Sequence, residues 1–231
     1  MVAVTNATDA PGFNFHFLKK GTQVCGYTTG ADGVAWTAQM WAEFPDAVRI
    51  CQNPGATDHT ADVLDVESGA ATLADCAPWA KAALASFNNG TRPGQRYPAI
   101  YCSQSSLTAV ANALVKGGVP KLAFWVADWN GYPNAMKMLG ASSGPFPVIG
   151  VQYADNGSYD SDVFLTSWLT NRSKKKVKNG DVTVTPKAPP GQWNDAAAWT
   201  WQEASVIGTG LDGKLHVFTF SPSTGEWVKA E

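Results

Sequence analysis

Two carboxylates stand two residues apart in Ala61-Asp-Val-Leu-Asp-Val-Glu-Ser-Gly-Ala70, where a short apolar run ends. Successive side chains of a β-strand point to opposite faces, so Val63, Asp65 and Glu67 share one side while Asp62, Leu64 and Val66 share the other. Like charges on neighbouring same-face positions raise each other's proton affinity. That tension suits a general acid, which must still carry its proton near neutral pH. The same pattern fits a pair of solvated strand-end acids or a cation site, and this stretch alone leaves the three readings open.

Other chemistries find less support. No Gly-x-Gly-x-x-Gly follows the first apolar strand and no Gly-Lys-Ser/Thr loop occurs, so a nucleotide enzyme is not expected. There is no Gly-x-Ser-x-Gly elbow, and His16, His59 and His216 are scattered, which speaks against a Ser/His/Asp triad. Cys25, Cys51, Cys76 and Cys102 are widely spaced without a Cys-x-x-Cys pair, so no zinc site is expected and they read as buried small apolar residues. Their spacing does not decide a disulfide. Neither a metal nor a cofactor is implied, and the chemistry is left to carboxylates.

The whole chain bounds the problem further. Its 231 residues, 45% of them apolar, suffice for one sizeable domain and a small appendage. With 17 basic and 19 acidic residues the formal charge is -2, and nothing steers the chain towards nucleic acid. Ten Trp, ten Phe and six Tyr either fill a large core or line a groove for flat, weakly charged ligands such as sugars. No stretch is long enough for a membrane span, so membrane insertion is not expected. Met1-Val-Ala-Val-Thr-Asn lacks the flank and apolar core of a signal peptide, which gives the expectation of synthesis in a cytoplasm without a leader.

The elements that must position the acids follow from apolar runs and their punctuation. Phe13, Phe15 and Phe17 alternate with polar residues as a short strand would. Gln23-Val-Cys-Gly-Tyr27 reads as the first buried strand. A helix from Thr37 stops before Pro45, and Ala47-Val-Arg-Ile-Cys51 is the next strand. After the strand through Glu67, Trp79, Ala82, Ala83 and Phe87 fall at helical spacing within a helix from about Thr72 to Phe87. Tyr97-Pro-Ala-Ile-Tyr-Cys102, a helix over Ser105 to Val115, Leu122-Ala-Phe-Trp-Val-Ala-Asp-Trp129 and Phe146-Pro-Val-Ile-Gly-Val-Gln-Tyr153 complete the pattern. Nearly all-apolar strands joined by helical crossovers imply parallel strands buried on both faces, an α/β fold. Site-like residues gather at the strand ends: Tyr27, Asp65 with Glu67, Tyr101, Asp128 with Trp129, and Gln152 with Tyr153. Barrels and open α/β sheets keep their active sites there.

Val63-Leu-Asp-Val-Glu67, Ile100-Tyr-Cys-Ser103, Trp125-Val-Ala-Asp-Trp129, Val151-Gln-Tyr153 and Tyr159-Asp-Ser-Asp-Val-Phe164 together resemble, in order and spacing, the family 25 glycoside hydrolases, the Chalaropsis-type lysozymes of actinobacteria and their phages. The resemblance covers roughly residues 22 to 170. It implies an irregular, incomplete TIM-like β/α barrel that cleaves peptidoglycan after N-acetylmuramic acid. Residue by residue, Glu67 resembles the catalytic acid, Asp65 its partner, and Asp160 the acid near the last strand, with Asp162 where the family often has Asn. Tyr27, Tyr101, Asp128, Trp129, Gln152 and Tyr153 are the expected substrate-binding residues. One departure stands out: the family's first strand ends on an Asp, whereas Gln23–Tyr27 has none, and Asp32 lies beyond Gly30. The chain also looks short of strand material for eight β/α units.

The expected organisation is a glycosidase-like barrel over residues 1–170, a basic and Pro-rich linker over 171–191, and an aromatic β-meander over 192–231. The meander's strands run from Ala198 to Ile207, from Lys214 to Phe220 and from Glu226 to Val228, split by turns at Leu211–Gly213 and Ser223–Gly225. About forty residues are marginal alone, so this module is expected to pack on the barrel, on a copy of itself or on another protein such as a phage virion component. The expected activity is that of a peptidoglycan hydrolase acting at the bacterial wall, a phage lysin or virion-associated lytic protein. The alternatives are a catalytically inactive glycan-binding or structural virion protein on the same barrel, and an acid-cluster metal hydrolase.

Overall fold

The structure, a computed structural model, describes residues 3–52 and 58–173 and, beyond them, the backbone of four short strands at 200–202, 205–209, 215–221 and 226–229. The chain forms two compact units, Met1–Lys176 and Val177–Glu231.

In the first unit eight strands close into a barrel. Strands β1 (Val4–Asp9), β2 (Gln23–Tyr27), β3 (Val48–Cys51), β4 (Val63–Val66), β5 (Ala99–Ser103) and β6 (Ala123–Ala127) pair in parallel in that order. A two-residue strand, β7 (Ser142–Ser143), leads into β8 (Phe146–Asp155), which pairs in parallel with β6. Strand β9 (Asp160–Leu165) then runs antiparallel between β8 and β1 and shuts the sheet on itself. An antiparallel neighbour needs only a tight turn. Here it is made by residues 156–159, with Asn156 N–H donating to the Tyr159 carbonyl at 3.0 Å and Gly157 at φ 77°.

The barrel is therefore mixed and not all-parallel, and the shortage of strand material disappears. The segment before residue 10 supplies β1, and the end of the last resembling motif supplies β9. The alternation of Phe13, Phe15 and Phe17 belongs to a 3-10 helix, Gly12–Phe17, instead of a strand. Only Phe15 of the three turns inward, meeting Trp36 at 5.1 Å and Phe44 at 5.4 Å edge-on.

Helices α1 (Ala38–Glu43), α2 (Leu73–Asn89), α3 (Leu107–Lys116), α4 (Tyr132–Met138) and α5 (Thr166–Thr170) surround or plug the barrel. The Thr72 N–H donates to Asp75 Oδ2 at 2.8 Å to start α2, and Gly90 in the left-handed region ends it. Cys76, Trp79, Ala80 and Ala83 of α2 and Val110 and Leu114 of α3 cover the outward residues Leu64, Val66, Ile100 and Cys102. Inside, Tyr101, Trp125, Phe164 and Trp168 form an aromatic column from mouth to base, each ring 4.9–5.3 Å from the next. All four cysteines are buried free thiols. No helix among the described residues is long and apolar enough to cross a membrane.

A bulge makes room for that column. Phe124 faces Val148 and Trp125 faces Gly150, leaving Ile149 as the extra residue of β8. A Cβ on Gly150 would lie 2.4 Å from the Phe164 ring and 3.2 Å from Trp125. Gly150→Ala is therefore expected to destabilise the barrel by about 1–3 kcal/mol through overpacking, read as a lower midpoint in chemical denaturation. An unchanged midpoint would contradict the packing.

The base is closed by charge. Asp62, fully buried, accepts from the Arg49 N–H at 2.9 Å, the Arg96 N–H at 2.6 Å, the Arg96 guanidinium at 3.3 Å and the Arg92 guanidinium. Arg96 also donates to the carbonyls of Ala47 at 3.1 Å and Asp46 at 2.6 Å. Residues 171–173, expected at the start of a linker, stay on this base: Ser173 N–H donates to the Gln95 carbonyl at 2.7 Å and Arg172 pairs with Asp46. The remainder of that linker lies outside the described residues. In the second unit β10 (Thr200–Gln202), β11 (Ser205–Thr209), β12 (Leu215–Ser221) and β13 (Glu226–Lys229) form an antiparallel meander of four strands, because the expected first strand is two.

Candidate active site

At the C-terminal ends of the parallel strands the barrel gathers its acids. Val63 and Asp65 point inward from β4 while Leu64 and Val66 face α2, as the alternation requires. The chain then doubles back, with Ala71 N–H donating to the Asp65 carbonyl at 3.1 Å and Ala70 N–H to the Glu67 carbonyl at 3.1 Å. This turn leaves Glu67 beyond the strand and exposed at the mouth, while Asp65 is 1% exposed. Asp65 Oδ2 accepts from the Gln52 side chain at 3.1 Å, and its Oδ1 has no partner. The two acids of the motif thus differ sharply in access to solvent.

Three more acids face them from the closing strands. β1 ends on Asp9, 1% exposed, directly opposite Asp160 of β9; Asp162, fully buried, lies opposite Ala7 on one side and Gln152 on the other. Gln152 is the hub. Its amide nitrogen donates to Asp9 at 3.0 Å and Asp160 at 3.3 Å, and its oxygen accepts from Tyr101 at 2.8 Å and the Trp129 indole at 2.9 Å. An indole N–H can only donate, which fixes the direction of the amide.

No ion pair among the described residues involves these acids. Burial and neighbouring charge therefore raise them all. Burial, then the charge of Glu67, lifts Asp65 well above the carboxylate range, and burial lifts Glu67 despite its exposure to solvent on one side. Burial followed by Asp9, Asp155 and Glu67 pushes Asp160 up to about 7. Asp9 is raised by burial and by Glu67, against the opposing hydrogen bond from Gln152. Asp162 is raised further by burial, Asp9 and Asp160. Glu67 is felt by Asp9, Asp65, Asp160, Tyr27 and Tyr101, so these groups share one electrostatic field at one mouth. No grouping of three or more His, Cys, Asp or Glu among the described residues has the arrangement of a metal site. That leaves the acid-cluster metal hydrolase without a ligand set in these residues.

Neither a family model, a curated protein nor a solved structure matches the chain. The site must be read from its own residues.

Beneath the mouth Asp9, Tyr27, Ile50, Asp65, Tyr101, Trp125 and Gln152 enclose a void of about 10 Å³, room for a single water. Two wider clefts flank it on opposite sides of the barrel. One, about 230 Å³, is formed by Pro11, Phe13, Asn14, Tyr159 and Asp160; the other, about 230 Å³, by Glu67, Ser68, Thr72, Leu73 and Ser106. Trp129 stands at the rim, 64% exposed, its indole N–H anchored on Gln152.

Of the expected site residues, the structure brings together Asp65, Glu67, Asp160, Tyr27, Tyr101, Trp129 and Gln152. Asp128 is not among them: its carboxylate is taken by the Asn130 side chain in the turn after β6. Tyr153, the extra residue of a second bulge in β8, packs with the outer layer and meets Tyr132 edge-on at 5.3 Å. Asp9 was not expected. Its signal is faint but real, an acid ending Val4-Thr-Asn-Ala-Thr-Asp9 immediately before the Pro11-Gly12 turn. The strand taken as first, Gln23–Tyr27, is the second, so the barrel's first strand does end on an acid.

Proposed function

We propose that the protein is a glycoside hydrolase, a lysozyme-like N-acetylmuramidase acting on bacterial cell-wall glycan, built on an irregular, mixed TIM-like barrel and serving as a phage lysin or virion-associated lytic protein. The observation that carries this reading is the convergence of Asp9, Asp65, Glu67 and Asp160 on one barrel mouth, with no basic side chain among the described residues paired to them. Asp9 also supplies the first-strand acid that the resemblance to family 25 enzymes calls for.

In this mechanism Glu67 is the general acid. It is the most open of the raised carboxyls, with Asp160 half-buried on the wall of the neighbouring cleft, so it reaches the glycosidic oxygen and protonates it as the bond breaks. Asp65 and Asp160, which the protonated, uncharged Glu67 no longer holds up, bear in their ionised form on the positive charge that develops on the sugar or orient the attacking group. The void is too small for a sugar ring, so the glycan lies across the mouth between the two clefts. Trp129 offers its ring as a platform at that level. The chain's own cytoplasmic synthesis and delivery to the wall belong to the same proposal.

The small void also favours a second reading, a barrel that binds glycan without cutting it, as a structural virion protein. Zymography of the full chain on actinobacterial cell walls separates the two. Cleared zones with new reducing ends at muramic acid are expected; retention on the walls without clearing rejects the enzyme and leaves the binding protein.

A further inference from the structure

We infer that Asp162 is a proton-carrying positioning residue: as a neutral carboxyl it donates its O–H to Asp9, so that the two buried acids hold one proton between them and Asp9 presents its charge towards the mouth. This rests on geometry that the proposed hydrolysis does not use. Asp162 is fully buried on the inner face of β9, and neither of its oxygens has a hydrogen-bond partner of good geometry. Asp9 lies on the same inner face one diagonal step away, since its own cross-strand partner is Asp160 and that of Ala7 is Asp162. Asp9 Oδ2 is occupied by the Gln152 amide, and its Oδ1 is an orphan acceptor.

A buried carboxylate without a donor or a cation is costly, whereas a carboxyl that finds an acceptor is not. Every titratable group that bears on Asp162 is acidic: Asp9 from β1, Cys25 from β2, Tyr101 from β5 and Asp160 from its own strand. The neutral neighbours are Gln152 on β8 and the Trp125 indole on β6, whose otherwise unpartnered N–H acts as a donor on Asp162 and opposes the rise, against the larger effects of burial and of Asp9 and Asp160. A shared cation is the competing occupant, yet no metal-like grouping exists among the described residues. Protonation needs no further group, because the neutral carboxyl finds its acceptor in the unpartnered Asp9 Oδ1.

The sign of the pH effect follows. A carboxyl raised in the folded state keeps a proton that the unfolded chain, with carboxyls near about 4, releases. Its stabilising contribution is fully present below that unfolded value and is lost as pH rises through the raised folded one. The test uses the full chain without substrate. In infrared spectra of protein labelled with ¹³C-aspartate at pH 7, wild type minus Asp162→Asn should show a positive band of a neutral carboxyl. The melting temperature of wild type should fall between pH 5 and pH 8, and that of Asp162→Asn should fall less. If the protein cleaves walls, Asp162→Asn should keep its pH profile while Asp162→Ala shifts it, because Asn still donates to Asp9. Absence of the difference band overturns the inference, as does a stoichiometric cation found by mass spectrometry and lost in Asp162→Asn. Should the variant fail to fold, residue-assigned carboxyl NMR of labelled wild type decides the matter: a neutral-carboxyl shift for Asp162 at pH 7 supports the inference and a carboxylate shift overturns it. Failure to clear walls would reject the hydrolase and leave the shared proton standing.

Discussion

Glu67→Gln is expected to leave the protein folded and bound to cell walls while lowering glycan cleavage by about 10²–10⁴-fold, the range over which a positioned general acid acts. The reason lies in the contrast within the motif. Asp65 is sealed under the mouth, and Glu67 sits past the end of β4 in solvent, so only Glu67 can meet a bond in a glycan lying above the void. Gln keeps the shape of Glu and has no proton to transfer. An exposed position outside the strand makes a large loss of stability unexpected. A second readout comes from electrostatics. The charge of Glu67 raises Asp9, Asp65 and Asp160, so its removal should move their titrations to lower pH in carboxyl NMR spectra. A variant that releases muramic-acid ends as fast as the parent would end the assignment of Glu67 as the acid.

The largest effect on folding is expected at the other end of the barrel. Arg96→Ala should cost about 3–5 kcal/mol, the range found when one partner of a buried ion pair is removed, out of a total stability of roughly 5–15 kcal/mol for a domain. Arg96 is 1% exposed, and its guanidinium ties Asp62 to the carbonyls of Ala47 and Asp46, on the approach to β3. Truncation removes one of the two guanidinium groups that neutralise Asp62, leaving it Arg92 and the backbone N–H groups of residues 49 and 96, and frees the carbonyls of Ala47 and Asp46. Urea denaturation should show a much lower midpoint or a protein that no longer folds. Replacing all three charged partners by apolar residues, Arg96→Met and Arg92→Met with Asp62→Leu, should recover part of the loss, since none of the three charges is then left without its partner. An Arg96→Ala midpoint equal to the parent's would show that this plug does not hold the base.

What could be read from the residues was whatever the β/α repeat stamps into local pattern. Strands buried on both faces must be apolar throughout, and the helices over them must show a period near 3.6, so β4, β5, β6, α2 and α3 announce themselves. Strand β1 carries no such stamp. Only Ala7 and Asp9 of it are buried, and Thr5, Asn6 and Thr8 face less covered surroundings, so it looks like a polar tail. Missing it hid Asp9, and Asp9 removed the apparent gap in the acid set. Asp128 shows a different limit: the end of a strand puts an acid near the mouth, and a neighbour two residues on binds one of its carboxylate oxygens. The base plug was out of reach for a different reason, because Asp62 and Arg96 are 34 residues apart and neither has a local signature. The pairing of Asp9 with Asp160 and Asp162 is likewise a product of closure, joining residues about 150 positions apart.

That closure has a bearing on how the protein is made. β1 leaves the ribosome before the other strands of the barrel, yet one of its two flanking partners, β9, is synthesised about 150 residues later. Until then β1 and β8 each show an unpaired edge, the kind of surface on which nascent chains stick to one another. The Thr166 N–H, which donates to the Ala3 carbonyl at 3.0 Å, is part of the last stitch of a ring that cannot be finished piecemeal. A nascent chain stalled before the 156–159 hairpin should therefore recruit holding chaperones, and one released just beyond residue 173 should not.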